Sequence, residues 1–196
     1  MNKHNFGKII LINPRITPWN YETNIDPPLG ILLIGTILQS RGFIVKVIDG
    51  LKDENYFKTL ESELGGDIIC VGFSVMTSQV PEALKLCRFL REKIPSIRII
   101  WGGVHPTLFP TQTCLDPLID IIVIKEGEYT MLELAERLIR GGNLDEVKGI
   151  AYKHDKKVII TSPMELSEIN DLPPINYELD SFLVTSMQKA EKIFVL

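Results

Sequence analysis

Ile68-Ile69-Cys70-Val71-Gly72-Phe73-Ser74 is followed by residues 80–94, in which Val80, Ala83, Leu84, Cys87, Leu90 and Ile94 recur at three- and four-residue spacing. Pro95 stops that pattern, and Ile97-Arg98-Ile99-Ile100-Trp101-Gly102-Gly103 comes next. A nearly continuous apolar run of this length reads as a strand buried on both faces, and the periodic stretch reads as an amphipathic helix. Strand, helix, strand within about 35 residues is a crossover unit, which places the two strands parallel in one sheet.

The same alternation extends in both directions. Residues 8–12 form an apolar strand ending in Asn13-Pro14, and a loop of turn formers, Pro18 among them, runs to Asn24-Ile25-Asp26-Pro27-Pro28. Asp26 is expected to cap the next helix, with Pro27 in its first turn. That helix carries Leu29, Leu32, Leu33, Thr36 and Ile37 and stops at Gly42. Strands over 43–48 and 119–124 and helices over 54–64 and 131–140 complete the series, with Thr130 and Glu133 expected as a capping box. Residues 150–153 and 158–161, around His154-Asp155-Lys156-Lys157, read as a hairpin, and 162–180, with Pro163, Pro173 and Pro174, as an extended linker. The expected fold is α/β: a five-stranded, parallel, doubly wound sheet, flavodoxin-like or Rossmann-like, of order 2-1-3-4-5, with a C-terminal β-hairpin and extended tail. The division expected is an α/β domain over 1–145 and a hairpin and linker over 146–196.

The composition suits that reading. The chain has 196 residues, 45% hydrophobic and 23% charged, which excludes disorder and fibrous repeats. A net charge of −4 speaks against nucleic acid as a partner, which wants a clustered positive face. The longest apolar stretch, residues 29–38, falls well short of the ~20 residues of a membrane span, and 9–12 is too short for a secretory signal, so a cytoplasmic protein is expected. Cys70, Cys87 and Cys114 are widely spaced and odd in number; they read as two core thiols and one loop thiol in a reducing compartment.

Each expected strand ends, at its carboxyl side, in turn and polar residues: Asn13-Pro14, Asp49-Gly50, Ser74 to Ser78, Gly102 to Pro106, and Glu126 to Glu128. In an open parallel sheet these ends share one edge, where ligands bind. Turn residues at strand ends are required in any α/β sheet, but five such loops with glycines where a ligand could approach backbone favour a binding edge. The first loop lacks the glycines that cradle a dinucleotide or nucleoside triphosphate. Gly-x-Ser-x-Gly is absent around Ser74, Asp49 stands alone at its strand end, and His4, His105 and His154 lie in unrelated segments, so no catalytic triad, acidic cluster or metal site is read.

Ser74-Val75-Met76 followed, after a helix, by Gly102-Gly103 resembles the serine and Gly-Gly elements of cobalamin-binding domains. In that family these elements enclose the nucleotide tail of the cofactor, and a tail running beside the strand end leaves no room for a side chain. The family's Asp-x-His-x-x-Gly element would end at Gly30, but here it reads Ile25-Asp26-Pro27-Pro28-Leu29-Gly30, with Pro27 in place of the cobalt-ligating histidine. Pro27-Pro28-Leu29-Gly30, Gly102-Gly103-Val104-His105-Pro106 and Glu126-Gly127-Glu128, followed by the hairpin and Asp171-Leu172-Pro173-Pro174, resemble the N-terminal domain of cobalamin-dependent radical SAM enzymes.

That resemblance implies a cofactor domain binding cobalamin base-off, without a protein histidine ligand and without catalytic residues of its own. The implied contacts are Ser74, Val75, Met76, Thr77, Gly102, Gly103, His105, Pro106, Glu126 and Gly127. His105 could face the corrin or fix its loop, Met76 could pack on the corrin or in the core, and Glu128 is read as serving the positive end of its helix. The partner implied is a radical SAM catalytic domain, in cis or in trans. The iron–sulfur cluster and S-adenosylmethionine belong to that barrel, because no CxxxCxxC stands in these residues. The barrel is expected to be missing beyond Leu196, leaving 193–196 as an apolar tail, and methyl transfer of the methyltransferase type would need it. A different reading is a non-enzymatic small-molecule-binding or protein-interaction module that kept the fold and lost the cofactor.

Overall fold

The computed structural model describes residues 6–16, 26–155, 157–165, 168–181 and 184. Strands β1 (Lys8–Asn13), β2 (Ile44–Asp49), β3 (Ile68–Ser74), β4 (Ile99–Gly102) and β5 (Ile121–Val123) alternate with helices α1 (Leu29–Ser40), α2 (Tyr56–Glu63) and α3 (Val80–Lys93), with the short pair α4 (Val104–Leu108) and α5 (Pro110–Leu115), and with α6 (Glu128–Arg140). Strands β6 (Ile150–His154) and β7 (Lys157–Ile160) follow. The sheet order is β2-β1-β3-β4-β5-β6-β7, parallel through β5 and antiparallel thereafter. The expected 2-1-3-4-5 order holds, and the hairpin extends the same sheet to seven strands.

Side chains alternate across the strands, so the sheet builds two cores. On one face Ile9, Leu11, Cys70, Ile100, Ile121 and Val123 pack under α1 and α6. On the other, Ile10, Ile12, Val71, Phe73, Ile99, Trp101 and Ile122 pack under α2 and α3. Trp101 is fully buried, and its indole N–H donates to Cys87 Sγ at 3.3 Å. All three thiols are buried and free, which corrects the expectation of a loop thiol: Cys114 sits in α5 against the second core. Among the described residues no helix is long and apolar enough to cross a membrane.

Two helix starts differ from expectation. Pro28 occupies the cap of α1 and no side chain caps it, so Asp26 stands two residues too early; the first turn is held by Pro27 and Pro28 carbonyls accepting from Leu29 and Leu32 N–H. Helix α6 starts at Glu128, which puts Thr130 inside the helix rather than at its cap. Thr130 is fully buried, and its hydroxyl has no partner among the described residues.

The segment expected as an extended linker is docked in its C-terminal part. Residues 168–181 bind to α6 and α1: Tyr129 donates to Asp171 O (3.3 Å), Asn176 N–H donates to Thr36 Oγ1 (2.9 Å), and Asn176 Nδ2 to Gln39 Oε1 (3.0 Å). Leu172, Ile175 and Leu179 join the first core. Pro18, Asn24, Ile25, His4, Lys156 and the tail 193–196 lie outside the described residues.

An unpaired buried hydroxyl costs free energy that an isosteric methyl does not. Thr130→Val is therefore expected to stabilise the fold by about 1 kcal/mol, raising the thermal midpoint by roughly 2–4 °C for a chain of this size. Calorimetric melting of the two proteins checks this; an unchanged or lower midpoint would show that the hydroxyl is satisfied.

Candidate functional site

The parallel strands bring their carboxyl ends to one edge, and on the α1/α6 face that edge opens into a slot of about 250 Å³. The register explains the space. Leu11 lies beside Gly72, Gly72 beside Ile100, and Ser74 beside Gly102, so two of the floor positions have no side chain. Gly30, Ile31 and Ile34 of α1 form one wall, and Glu128 and Met131 of α6 form the other. A slot this narrow and mostly apolar suits a flat, largely apolar group with a few polar atoms.

Of the residues singled out from sequence, Ser74, Gly102, Gly103, Glu126 and Gly127 line the slot. Val75 is fully buried in the opposite core, and Pro106 is buried too, so both support loops rather than face the slot. Met76 is 44% exposed, so its side chain lies outside the core. Thr77 and His105 meet beside the slot: Thr77 Oγ1 and His105 Nδ1 are 3.2 Å apart, and His105 N–H donates to Val75 O at 2.9 Å. The imidazole thus ties the loop after β4 to the loop after β3. Burial lowers the pKa of His105, favouring the neutral ring that this pairing can use as acceptor. The Ser74 hydroxyl has no partner among the described residues, leaving it available at the slot.

Two glycines with adjacent numbers have different reasons. Gly103 has φ +94°, and a Cβ there would stand 2.8 Å from Val75 N and 3.1 Å from Val75 O, so the protein's own backbone excludes a side chain. Gly102 has ordinary room: its nearest neighbour would be Val123 Cβ at 3.6 Å. Gly102 is the position where a side chain would fit the fold yet fill the slot.

Sequence reasoning undervalued Glu128 and missed Gln79. Glu128 opens α6, as the helix-dipole reading expects, but its Oε2 is buried at the slot wall with no donor among the described residues. A ligand hydroxyl or N–H would satisfy it. Gln79 is 1% exposed and closes the serine loop onto β1, accepting from Met76 N–H (2.8 Å) and donating to Asn13 Oδ1 (2.9 Å) and Pro14 O (2.6 Å). The only signal in sequence was a lone glutamine before an amphipathic helix. Among the described residues no three His, Cys, Asp or Glu side chains gather as metal ligands.

A family model described as "B12 binding domain" matches residues 23–135. The chain is 34% identical over 158 residues to an anaerobic magnesium-protoporphyrin IX monomethyl ester cyclase of Synechocystis, covering 78% of this chain and 32% of that protein. It is 30% identical over 156 residues to an uncharacterized methyltransferase of Pyrococcus horikoshii, covering 78% and 34%. The chain thus spans about a third of the length of these curated relatives. A solved structure of the cobalamin-dependent S-adenosylmethionine radical enzyme OxsB, with aqua-cobalamin and S-adenosylmethionine bound, superposes with a TM-score of 0.71 at 24% identity, covering 89% of this chain and 25% of that one. That likeness shows the shared fold.

The glycine geometry has a measurable consequence. Gly103→Ala is expected to cost about 1–3 kcal/mol, the usual penalty for forcing a side chain into a strained backbone position. Gly102→Ala should stay within about 0.5 kcal/mol. Urea denaturation of both variants checks the contrast, and equal losses would contradict the separate roles.

Proposed function

Because the chain belongs to the B12-binding domain family, we propose that it binds cobalamin along the carboxyl edge of its sheet, as the cofactor domain of a radical SAM enzyme of methyltransferase type. The slot carries this reading: an apolar cleft with a glycine floor, an available Ser74 hydroxyl and an unsatisfied Glu128 oxygen fits the nucleotide tail of the cofactor. Ser74, Gly102, Glu126, Gly127 and Glu128 would line the tail, while Thr77 and His105 hold the two loops at its entrance and Met76 offers an apolar rim.

Bound cobalamin would supply a cobalt able to carry and donate a methyl group. The chain's own contribution is to hold the tail, keep water from the apolar slot and present the rim. In this reading residues 1–145 bind the cofactor and 146–196 lead toward a radical SAM barrel, in cis or in trans, which holds the iron–sulfur cluster and S-adenosylmethionine. Buried free thiols support a reducing, cytoplasmic setting. The methyltransferase and cyclase names of the curated relatives support the enzyme class.

Purified protein given hydroxocobalamin and then desalted is expected to keep a corrin spectrum. Gly102→Leu should lose that colour while retaining its melting transition; retention by the variant would move the tail away from the β4 end, and loss of colour by the folded parent would end the cobalamin reading.

The axial position can be tested separately. Pro27 offers no lone pair where the family's histidine would stand, and the Nδ1 atom of His105 already faces Thr77. Bound cob(II)alamin is expected to show cobalt lines without nitrogen triplets in electron paramagnetic resonance. Triplets that vanish in His105→Ala would make that histidine the ligand, and triplets that survive it would show the cofactor's own base on cobalt.

A further inference from the structure

Residues 168–181 form a belt against the two helices that wall the slot. The slot lies between α1, α6 and the sheet, and the belt contacts those same two helices. Tyr129, in the first turn of α6, donates to Asp171 O at 3.3 Å. On α1 the belt is held by Thr36 and Gln39. Leu179 Cδ1 lies 2.9 Å from where a Cβ on Gly35 would stand, so α1 and the belt meet without a side chain between them. Ile31 and Ile34 face the slot on the same helix that Thr36, Gly35 and Gln39 present to the belt.

The belt ends in a buried ion cluster. Lys52 Nζ lies 3.0 Å from Asp180 Oδ2 and 3.6 Å from Asp49 Oδ2, and all three side chains are at most 5% exposed. Asp49 Oδ1 accepts from Asn13 Nδ2 at 2.8 Å, Asn13 Oδ1 accepts from Gln79, and Gln79 holds Met76 N–H in the serine loop. One unbroken series of buried and partly buried polar contacts therefore joins Asp180 in the belt to the loop after β3. Charges removed from water in this way are tolerated only while their partners stay in place, so the series resists partial release.

We propose that docking of the belt and occupancy of the slot are coupled: the belt fixes the spacing of α1 and α6, and a ligand that fixes the same spacing secures the belt. Coupling of this kind is reciprocal. A segment leading to whatever follows Asp180 thereby reports whether the slot is filled. The identity of the ligand rests on the cobalamin reading above; the coupling rests on the belt's contacts.

Hydrogen–deuterium exchange of the full chain tests it in two arms. Without ligand, Asp180→Asn is expected to speed exchange about tenfold or more, a loss of about 1.4 kcal/mol of local stability, in residues 31–36 of α1, 128–133 of α6 and 76–80, besides the belt itself. Acceleration confined to 168–181 would overturn the coupling. Asn176→Ala, which removes only the partly exposed bond to Gln39 and the turn to Glu178, decides the same question on α1 if Asp180→Asn unfolds. In the second arm, hydroxocobalamin added to the parent should slow exchange at 172–181, remote from the slot; protection that stops at the slot would again overturn it. If no corrin is retained, the cobalamin reading fails while the ligand-free arm still decides the coupling.

Discussion

Two neighbouring strands carry glycine on the same face, Gly72 on β3 and Gly102 on β4, two residue pairs apart in register. A doubly wound sheet normally buries both faces under large side chains. Here the face under α1 and α6 is closed at its centre by Leu11, Cys70 and Ile100 but left open at its carboxyl edge. The opposite face has no such gap, because Phe73 and Trp101 fill the equivalent positions with their rings 6.3 Å apart. The asymmetry of one sheet thus decides which pair of helices becomes the walls of a cleft and which pair becomes plain core.

Holding such an edge open requires that the loops around it not collapse into it. The protein does this with polar side chains aimed away from the cleft. Gln79 and Asn13 lock the loop after β3 to the end of β1, and His105 locks the loop after β4 to the loop after β3. Arg15 extends the scheme to the next crossover, donating to Gly50 O and Asp53 O and lying 5.1 Å over the Tyr56 ring. Tyr56 in turn donates to Glu82 at the start of α3, and burial beside that carboxylate pushes the phenol's pKa well up, keeping it a donor. Loops after four consecutive strands are tied to one another before any ligand arrives, which is preorganisation in the ordinary sense.

The fold was readable because periodicity and punctuation agree: apolar runs of strand length alternate with amphipathic stretches, and Gly42, Pro95 and Gly141 fall where elements stop. Helix starts were less readable. Asp26 and Thr130 have the right chemistry for caps, yet Pro28 and Gly127 occupy those places, since sequence does not say which of several polar residues near a boundary is first. At the site, the glycines were visible as glycines, but their separate reasons were not: Gly103 is set by Val75 across a turn, and Gly102 by the space above β4. The burial of Glu128 Oε2 without a partner among the described residues shows only in three dimensions, and Gln79 escaped notice because its importance lies in contacts far apart in the chain, reaching 66 residues back to Asn13. The belt escaped for the same reason, since its partners Thr36 and Lys52 lie more than a hundred residues upstream.

The hairpin that completes the sheet bears on how the molecule could be cut. Ile124 N–H donates to Gly149 O, and Ile121 to Val123 pair with Tyr152 to Ile150, so β6 covers the outer edge of β5. A fragment ending near residue 145 would leave that edge with its amides and carbonyls bare, three residues from the slot wall at Gly127 and Glu128. The smallest piece that keeps every strand near the cleft paired on both sides must carry β6, and keeping β6 from becoming a bare edge itself requires β7 as well. The α/β lobe and the C-terminal hairpin are, in manufacturing terms, one part.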